Sequence, residues 1–352
     1  IAREAGGDGL SFEELFRLWV ELAEADSNIA HALRGHFEFV EVRLQHSDPE
    51  VRAFWVERIV RNRELVGNAW SEKSNEARRS TSTSVSADAE GRLLLNGTKH
   101  FSTGTLYADW VDVLADVDGK PYSVVVSTTA PGVERIDDWN GFGQTLTGTG
   151  TTHFRDVVVE RRHIDETDFL TRRTSREVNV FQLVLLAVLV GIARRAFEEL
   201  KEYVRSRAKP VFGGDDLVPP AQDGLIQLDI GRVAGALYAA ESVLFRAARA
   251  LDAADRARDD ETAQSSASLE TYKAQIVVIP AVLDVTSRIF DAVGASATST
   301  ELGLDRHWRN ARIISSHNSI RYRERNIGAF ELFGSFGPRE PDDHPAAHLI
   351  GG

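Results

Sequence analysis

The sequence predicts a multi-domain α+β protein: helices first, a compact β domain next, and a helical bundle to finish. Apolar residues recur at helical spacing up to about residue 68, short runs rich in β-branched residues take over to 165, and long helix-period segments fill the rest. The expected domains are therefore 1–68, 69–165 and 166–352. That order is uncommon, which narrows the field.

Ser11 with Glu14 forms a capping box ahead of Leu15, Phe16, Leu18, Trp19 and Leu22 at helix spacing. A second helix fits 29–40, and Asp48-Pro49-Glu50 reads as an N-cap with proline in the first turn of a third. Strands are expected at 93–95, 111–115, 123–127 and 153–159, with turns at Asn96-Gly97 and Asp118-Gly119. Helices at 181–205, 225–254 and 269–293 suit an antiparallel bundle, with shorter pieces around Trp308 and Tyr322. Pro280 should kink or interrupt the third long helix, and the acidic stretch 255–268 reads as an exposed connection.

With 352 residues, 42% hydrophobic, the chain can bury a core spread over more than one domain. A formal net charge of -12 and a pI near 5.4 argue against nucleic acid or an anionic membrane as the main partner, since both need a basic face. No apolar run reaches the roughly 18 residues that span a bilayer; the greasiest, 181–193, contains Gln182 and reads as a buried core helix. The first residues lack a basic-then-apolar order, so a cytoplasmic protein is expected. Without cysteine there are no disulfides, thiolate metal sites or thiol nucleophile, and methionine is absent too, where about seven would be usual. The ten histidines show no metal-ligand spacing backed by carboxylates, so no metal is expected. Gly141-Phe142-Gly143 and Gly148-Thr149-Gly150 lead into a strand rather than open a helix, so they read as a β-domain loop, not a dinucleotide fingerprint.

Three motifs give the chain a resemblance to the acyl-CoA dehydrogenase superfamily over nearly its whole length. Asn96-Gly97-Thr98-Lys99-His100-Phe101-Ser102-Thr103-Gly104, followed by Ala108-Asp109-Trp110, is similar to the strand that crosses the flavin face in that family. Chemistry alone leaves Ser102 to Gly104 open between a turn and a flavin contact; the resemblance places Thr103 beside the reactive N5, with Ser102 next to it and His100 as a weaker pocket candidate. Asn68-Ala69-Trp70-Ser71-Glu72 resembles the strand over the flavin pyrimidine, which assigns cofactor contacts to Trp70 and Ser71; the usual glycine-rich continuation is replaced by Lys73-Ser74-Asn75-Glu76. Gly294 to Thr298 and Asp305 to Asn318 resemble the dibenzothiophene monooxygenase branch, implying cofactor contacts from Ala295, Ser296 and Ser316 and a His317 that faces the oxygen-reacting side. Arg205 and Arg207 fall where the family contacts the flavin pyrophosphate across a subunit boundary, although Arg207-Ala208-Lys209-Pro210-Val211-Phe212-Gly213 departs from the usual spacing.

The resemblance implies the acyl-CoA dehydrogenase fold, with an N-terminal helical domain, a central β-barrel, a C-terminal four-helix bundle and a homotetrameric assembly. It also implies a few dozen further residues ahead of Ile1, and a 141–150 loop near the substrate entrance. Many dehydrogenases carry a glutamate base at position 318; Asn318 cannot serve as one, whereas an imidazole at His317 can hold the proton of a flavin C4a-hydroperoxide. The reading favoured is a flavin-dependent monooxygenase. It would take reduced flavin, FMN or FAD, from a separate reductase, react it with O2 and oxygenate a small apolar substrate, with organosulfur compounds in view. An FAD-dependent acyl-CoA dehydrogenase or oxidase and a non-catalytic binding relative are the alternatives.

Overall fold

The computed structural model describes residues 1–72, 81–166, 175–207, 218–317 and 319–336. Four helices open the chain: α1 (Phe12–Ala25), α2 (Ser27–Ala32), α3 (Arg34–Leu44) and α4 (Pro49–Val56), the last running into a π-helical turn at Glu57–Arg61. Both expected caps are present. The Ser11 side chain accepts from the Glu14 backbone N–H while Glu14 accepts from that of Ser11, and Asp48 caps α4 with Pro49 in its first turn. The single helix expected over 29–40 is instead two, interrupted at Leu33.

Eight strands follow: β1 (Val66–Ala69), β2 (Ser84–Ala87), β3 (Leu93–Lys99), β4 (Trp110–Val117), β5 (Lys120–Ser127), β6 (Val133–Ile136), β7 (Thr151–Val159) and β8 (Ile164–Asp165). They form one mixed sheet in the order β6-β7-β3-β2-β4-β5-β8, with β1 parallel to β4. Among the described residues no hydrogen-bonded ladder joins β6 to β8. The tight β4–β5 turn at Asp118-Gly119 is as expected, both residues having positive φ (54° and 82°). Asn96-Gly97 is not a turn. It lies inside β3, where the register against β7 shifts between Leu95 and Gly97, and Gly97 passes so close to Thr83 that a Cβ would lie 2.7 Å from its Cα.

The C-terminal part holds three long helices, α5 (Ser175–Ser206), α6 (Gly224–Arg256) and α7 (Glu261–Arg288), then α8 (Asp305–Ser315) and α9 (Ile320–Phe333). The stretch 255–268 is mostly helix rather than connection, because Asp260 caps α7 by accepting from the Thr262 and Ala263 backbone N–H groups. Helix α7 runs on through Pro280 without interruption; Pro280 faces solvent, where water can satisfy the carbonyl that its missing N–H leaves unpaired.

Helix α5 is the centre of the fold, packed by α1, α6, α7 and α8. Its Leu183, Leu186, Leu189 and Ile192 are almost fully buried, and truncating one to alanine costs about 2–5 kcal/mol in such a setting. Although no uninterrupted apolar run reaches membrane-spanning length, Arg176–Ser206 taken whole is long and apolar enough to do so; 83% of its most apolar stretch is buried inside the protein.

Candidate active site

A cavity of about 290 Å³ opens where the early helices, the sheet and the C-terminal helices meet. Helices α2 and α3 contribute His31 and Arg34, β1 contributes Asn68 and the chain leaving it Trp70 and Ser71, and the turn after β3 contributes Phe101 and Thr103. Trp139, Gln144, Thr147 and Thr149 come from the loop before β7; Ile313, Ile314, Ser316 and His317 come from the end of α8. No carboxylate stands among the described lining residues.

The wall bearing Trp70 and Ser71 is fastened by a buried ion pair. Lys99, at the end of β3, places its Nζ 2.6 Å from Glu72 Oε1 and also donates to the Trp70 carbonyl at 3.3 Å. Glu72 accepts further from Thr81, Ser82 and Thr83. Burial alone would raise the Glu72 carboxyl, but the Lys99 ammonium and these hydrogen bonds hold it well below the usual carboxylate range. Burial pushes Lys99 down to about 8, with Glu72 pulling the other way. Trp70 is anchored from behind, its Nε1 donating 3.1 Å to Asp112, and Ser71 joins His100 in a β-bridge through its carbonyl.

The facing wall is a file of threonines whose polarity can be counted. Thr147 Oγ1 lies 2.9 Å from the Gln144 carbonyl, which only accepts, so Thr147 must donate there. Its proton spent, Thr147 accepts from Thr149 at 2.7 Å; Thr149 in turn accepts from Thr103 at 2.9 Å. Thr103 is left with lone pairs and no proton for the cavity. The turn holding it bears on α2: Gly104 has φ 78°, its N–H donates to Thr147 O at 3.0 Å, and a Cβ there would lie 2.3 Å from the Ala32 carbonyl.

Gln144 ties the loop to both helical parts. Its N–H donates to Asn310 on α8 at 2.7 Å, its amide nitrogen donates to Ser27 on α2 at 3.1 Å, and its amide oxygen lies 3.3 Å from His31 Nδ1. Burial, and then the neighbouring Arg34 cation, drive His31 down to about 3 despite the Gln144 hydrogen bond, so the ring is neutral at ordinary pH. Arg34, 4% exposed, lies 3.5 Å over the Phe181 ring and places Nη1 3.0 Å from His317 Nε2. Phe181 meets His317 edge-on at 6.1 Å.

Of the residues singled out in the sequence, Trp70, Ser71, Thr103, Ser316 and His317 line this cavity together. Ser102 stands beside Thr103 but is buried, its hydroxyl without a hydrogen-bond partner among the described residues. His100 corrects the expectation for it: its Nδ1 lies 3.2 Å from Thr151 Oγ1, a hydroxyl that itself donates to Asp138, and the ring does not line the cavity. Arg207 and Ser296 meet elsewhere, Nη1 lying 2.8 Å from both Ser296 Oγ and the Val293 carbonyl, with Ala295 in the same turn; within one chain they do not reach the cavity. Asn318, the 73–76 loop and the segment after Arg207 lie outside the described residues. Sequence reading missed His31, Arg34 and Gln144. The first two are three apart in a helical stretch and share a face, and the third sits in the glycine-rich loop expected near the entrance.

Helices, then a mixed sheet, then a long-helix bundle with a cavity at their junction define a flavoprotein of the acyl-CoA dehydrogenase type. Residues 183–322 match the family described as acyl-CoA dehydrogenase, C-terminal domain. Dibenzothiophene monooxygenase of Mycolicibacterium goodii is 30% identical over 347 residues, covering 94% of this chain and 83% of that protein. A probable FMNH2-dependent monooxygenase of Pseudomonas putida is 29% identical, covering 94% and 84%. Among solved structures, TdsC of Paenibacillus sp. A11-2 in complex with FMN and indole superposes with a TM-score of 0.86 at 28% identity, covering 99% of this chain and 88% of that one. Methanesulfinate monooxygenase MsuC of Pseudomonas fluorescens gives 0.84 at 26%, covering 95% and 86%. The chain belongs to the dibenzothiophene monooxygenase family of flavin-dependent monooxygenases.

Proposed function

We propose that the cavity binds reduced FMN, delivered by a separate reductase, and that the enzyme uses O2 to place one oxygen atom on a small organosulfur compound. When bound, the flavin supplies the two electrons that activate O2. The observation that carries the reading is the threonine file. Thr103 can offer the cavity only an acceptor, which suits the ring N–H of a reduced isoalloxazine and not the bare nitrogen of an oxidised one. Ser71, Asn68 and Ser316 supply further small polar contacts around the ring.

Trp70, Phe101, Trp139, Ile313 and Ile314 give the remaining wall an apolar character that suits a thiophene, sulfone or similar compound and excludes water from the reacting edge. His317 presents an imidazole to that edge. Among the described lining residues there is no carboxylate to serve as the base that proton abstraction from an acyl thioester requires, which favours oxygenation over dehydrogenation. The relatives support the sulfur chemistry, being named for dibenzothiophene and methanesulfinate.

The Arg207–Ser296 cluster does not line its own chain's cavity and fits a role toward a neighbouring subunit's flavin phosphate in a homotetramer. Leu225, Leu228 and Tyr238 of α6 are 66%, 49% and 75% exposed, an apolar face suited to subunit packing. A cytoplasmic location, where a reductase is at hand, completes the reading. The test is to supply reduced FMN and 18O2 with candidate thiophenes, sulfones and sulfinates: one labelled oxygen in the product is expected. Failure to bind reduced FMN, or product without label, rejects the proposal.

A further inference from the structure

The contact between Arg34 and His317 is chemically one-sided. A guanidinium has only donors, so at a 3.0 Å separation His317 Nε2 must present its lone pair. A neutral imidazole then carries its single proton on Nδ1. Arg34 has little freedom to leave: it is buried, comes from the first turn of α3, and is held flat at 3.5 Å on the Phe181 ring, whose edge side also meets His317 at 6.1 Å. Three residues from α3, α5 and the end of α8 thus lock one another.

We propose that Arg34 is a positioning residue that fixes His317 as the neutral Nδ1–H tautomer. On the functional reading above, His317 then acts as a hydrogen-bond donor through Nδ1, and its Nε2 is closed to service as a base. Replacing Arg34 by a residue that cannot donate removes the donor that dictates a lone pair on Nε2, whereas lysine keeps an N–H donor for Nε2 while giving up the flat stacking on Phe181.

The tautomer is read directly by NMR on flavin-free, 15N-histidine-labelled full-length protein at neutral pH. The His317 signals are assigned by their loss in His317→Gln. The expected result is an unprotonated Nε2 and a protonated Nδ1 in the wild type, the same pattern in Arg34→Lys, and a gain of protonated Nε2 in Arg34→Met. A wild-type ring protonated on Nε2, or on both nitrogens, overturns the proposal, as does an Arg34→Met ring identical to the wild type. Should Arg34→Met fail to fold, the wild-type and Arg34→Lys spectra still decide. With reduced FMN bound at saturation, Arg34→Met should lower product per flavin oxidised at least tenfold, and Arg34→Lys should restore most of it. Because the spectra need no flavin, failure of the tautomer claim is separable from failure of the monooxygenase reading.

Discussion

Acidification should unlock the cavity through His31, and the size of the effect can be worked out. In the folded chain His31 titrates at about 3, against 6.5 for an ordinary histidine, because burial and the Arg34 cation disfavour its charge. Between those values the unfolded chain binds a proton that the native one refuses. The His31 contribution is therefore fully present above 6.5 and falls as the pH drops toward 3. Between pH 7 and pH 5 the difference in proton binding amounts to about 2 kcal/mol for this one ring, and it depends only on the folded value lying well below 5. His36, lowered to about 4 by burial, adds a loss of the same sign. Replacing His31 by glutamine removes its share alone. Guanidinium denaturation at pH 7, 6 and 5 should show the wild type losing about 2 kcal/mol more than His31→Gln over that range. Parallel losses in the two proteins would refute a neutral, buried His31.

The other expectations concern the walls. Lys99→Met strands the Glu72 carboxylate in the interior and should cost about 3–5 kcal/mol in chemical denaturation, with Lys99→Met/Glu72→Leu recovering part of it; a Lys99→Met single variant of wild-type stability contradicts the role of the pair. Thr149→Val removes the nearer acceptor of the Thr103 proton and leaves only the 3.4 Å contact to the Phe101 carbonyl to compete with a turn toward the cavity. The preference for reduced over oxidised FMN, read as the midpoint potential of the bound flavin, should narrow, and an unchanged potential would undo the count of hydroxyl donors. His317→Ala should cut oxygenated product on the order of 100-fold while flavin titration changes little, and an unchanged yield removes His317 from the chemistry. Gly104→Ala, with φ 78° and the Ala32 carbonyl in the way, should lower thermal stability by the equivalent of about 2 kcal/mol or more; a neutral substitution would contradict that close approach.

What could be read from the sequence follows from what is local. The Ser11 and Asp48 caps and the Asp118-Gly119 turn are settled by residues within four positions of one another, and all three stand as read. Asn96-Gly97 has the same local signature but sits in a strand, because its partner β7 and the approach of Thr83 lie far along the chain. Thr103 and His317 are reached through motif resemblance. His31 and Gln144 are not, because their significance arises only when α2 and the loop before β7 are brought within 3.3 Å. His100 fails for the converse reason: a chemically suitable side chain in the right motif points to Thr151 rather than into the cavity.

Helix α5 also bears on how the chain reaches this state. Its earliest partner, α1, is made well before it, but α6 and α7 emerge from the ribosome only later, and the last of them ends at Arg288. Throughout that interval a segment greasy enough to be mistaken for a membrane anchor stands half-covered in water. Sequence-distant pairings of this kind slow folding and expose sticky surface while they wait. Recombinant yield should accordingly respond more to chaperone supply and slow translation than to changes at the catalytic cavity.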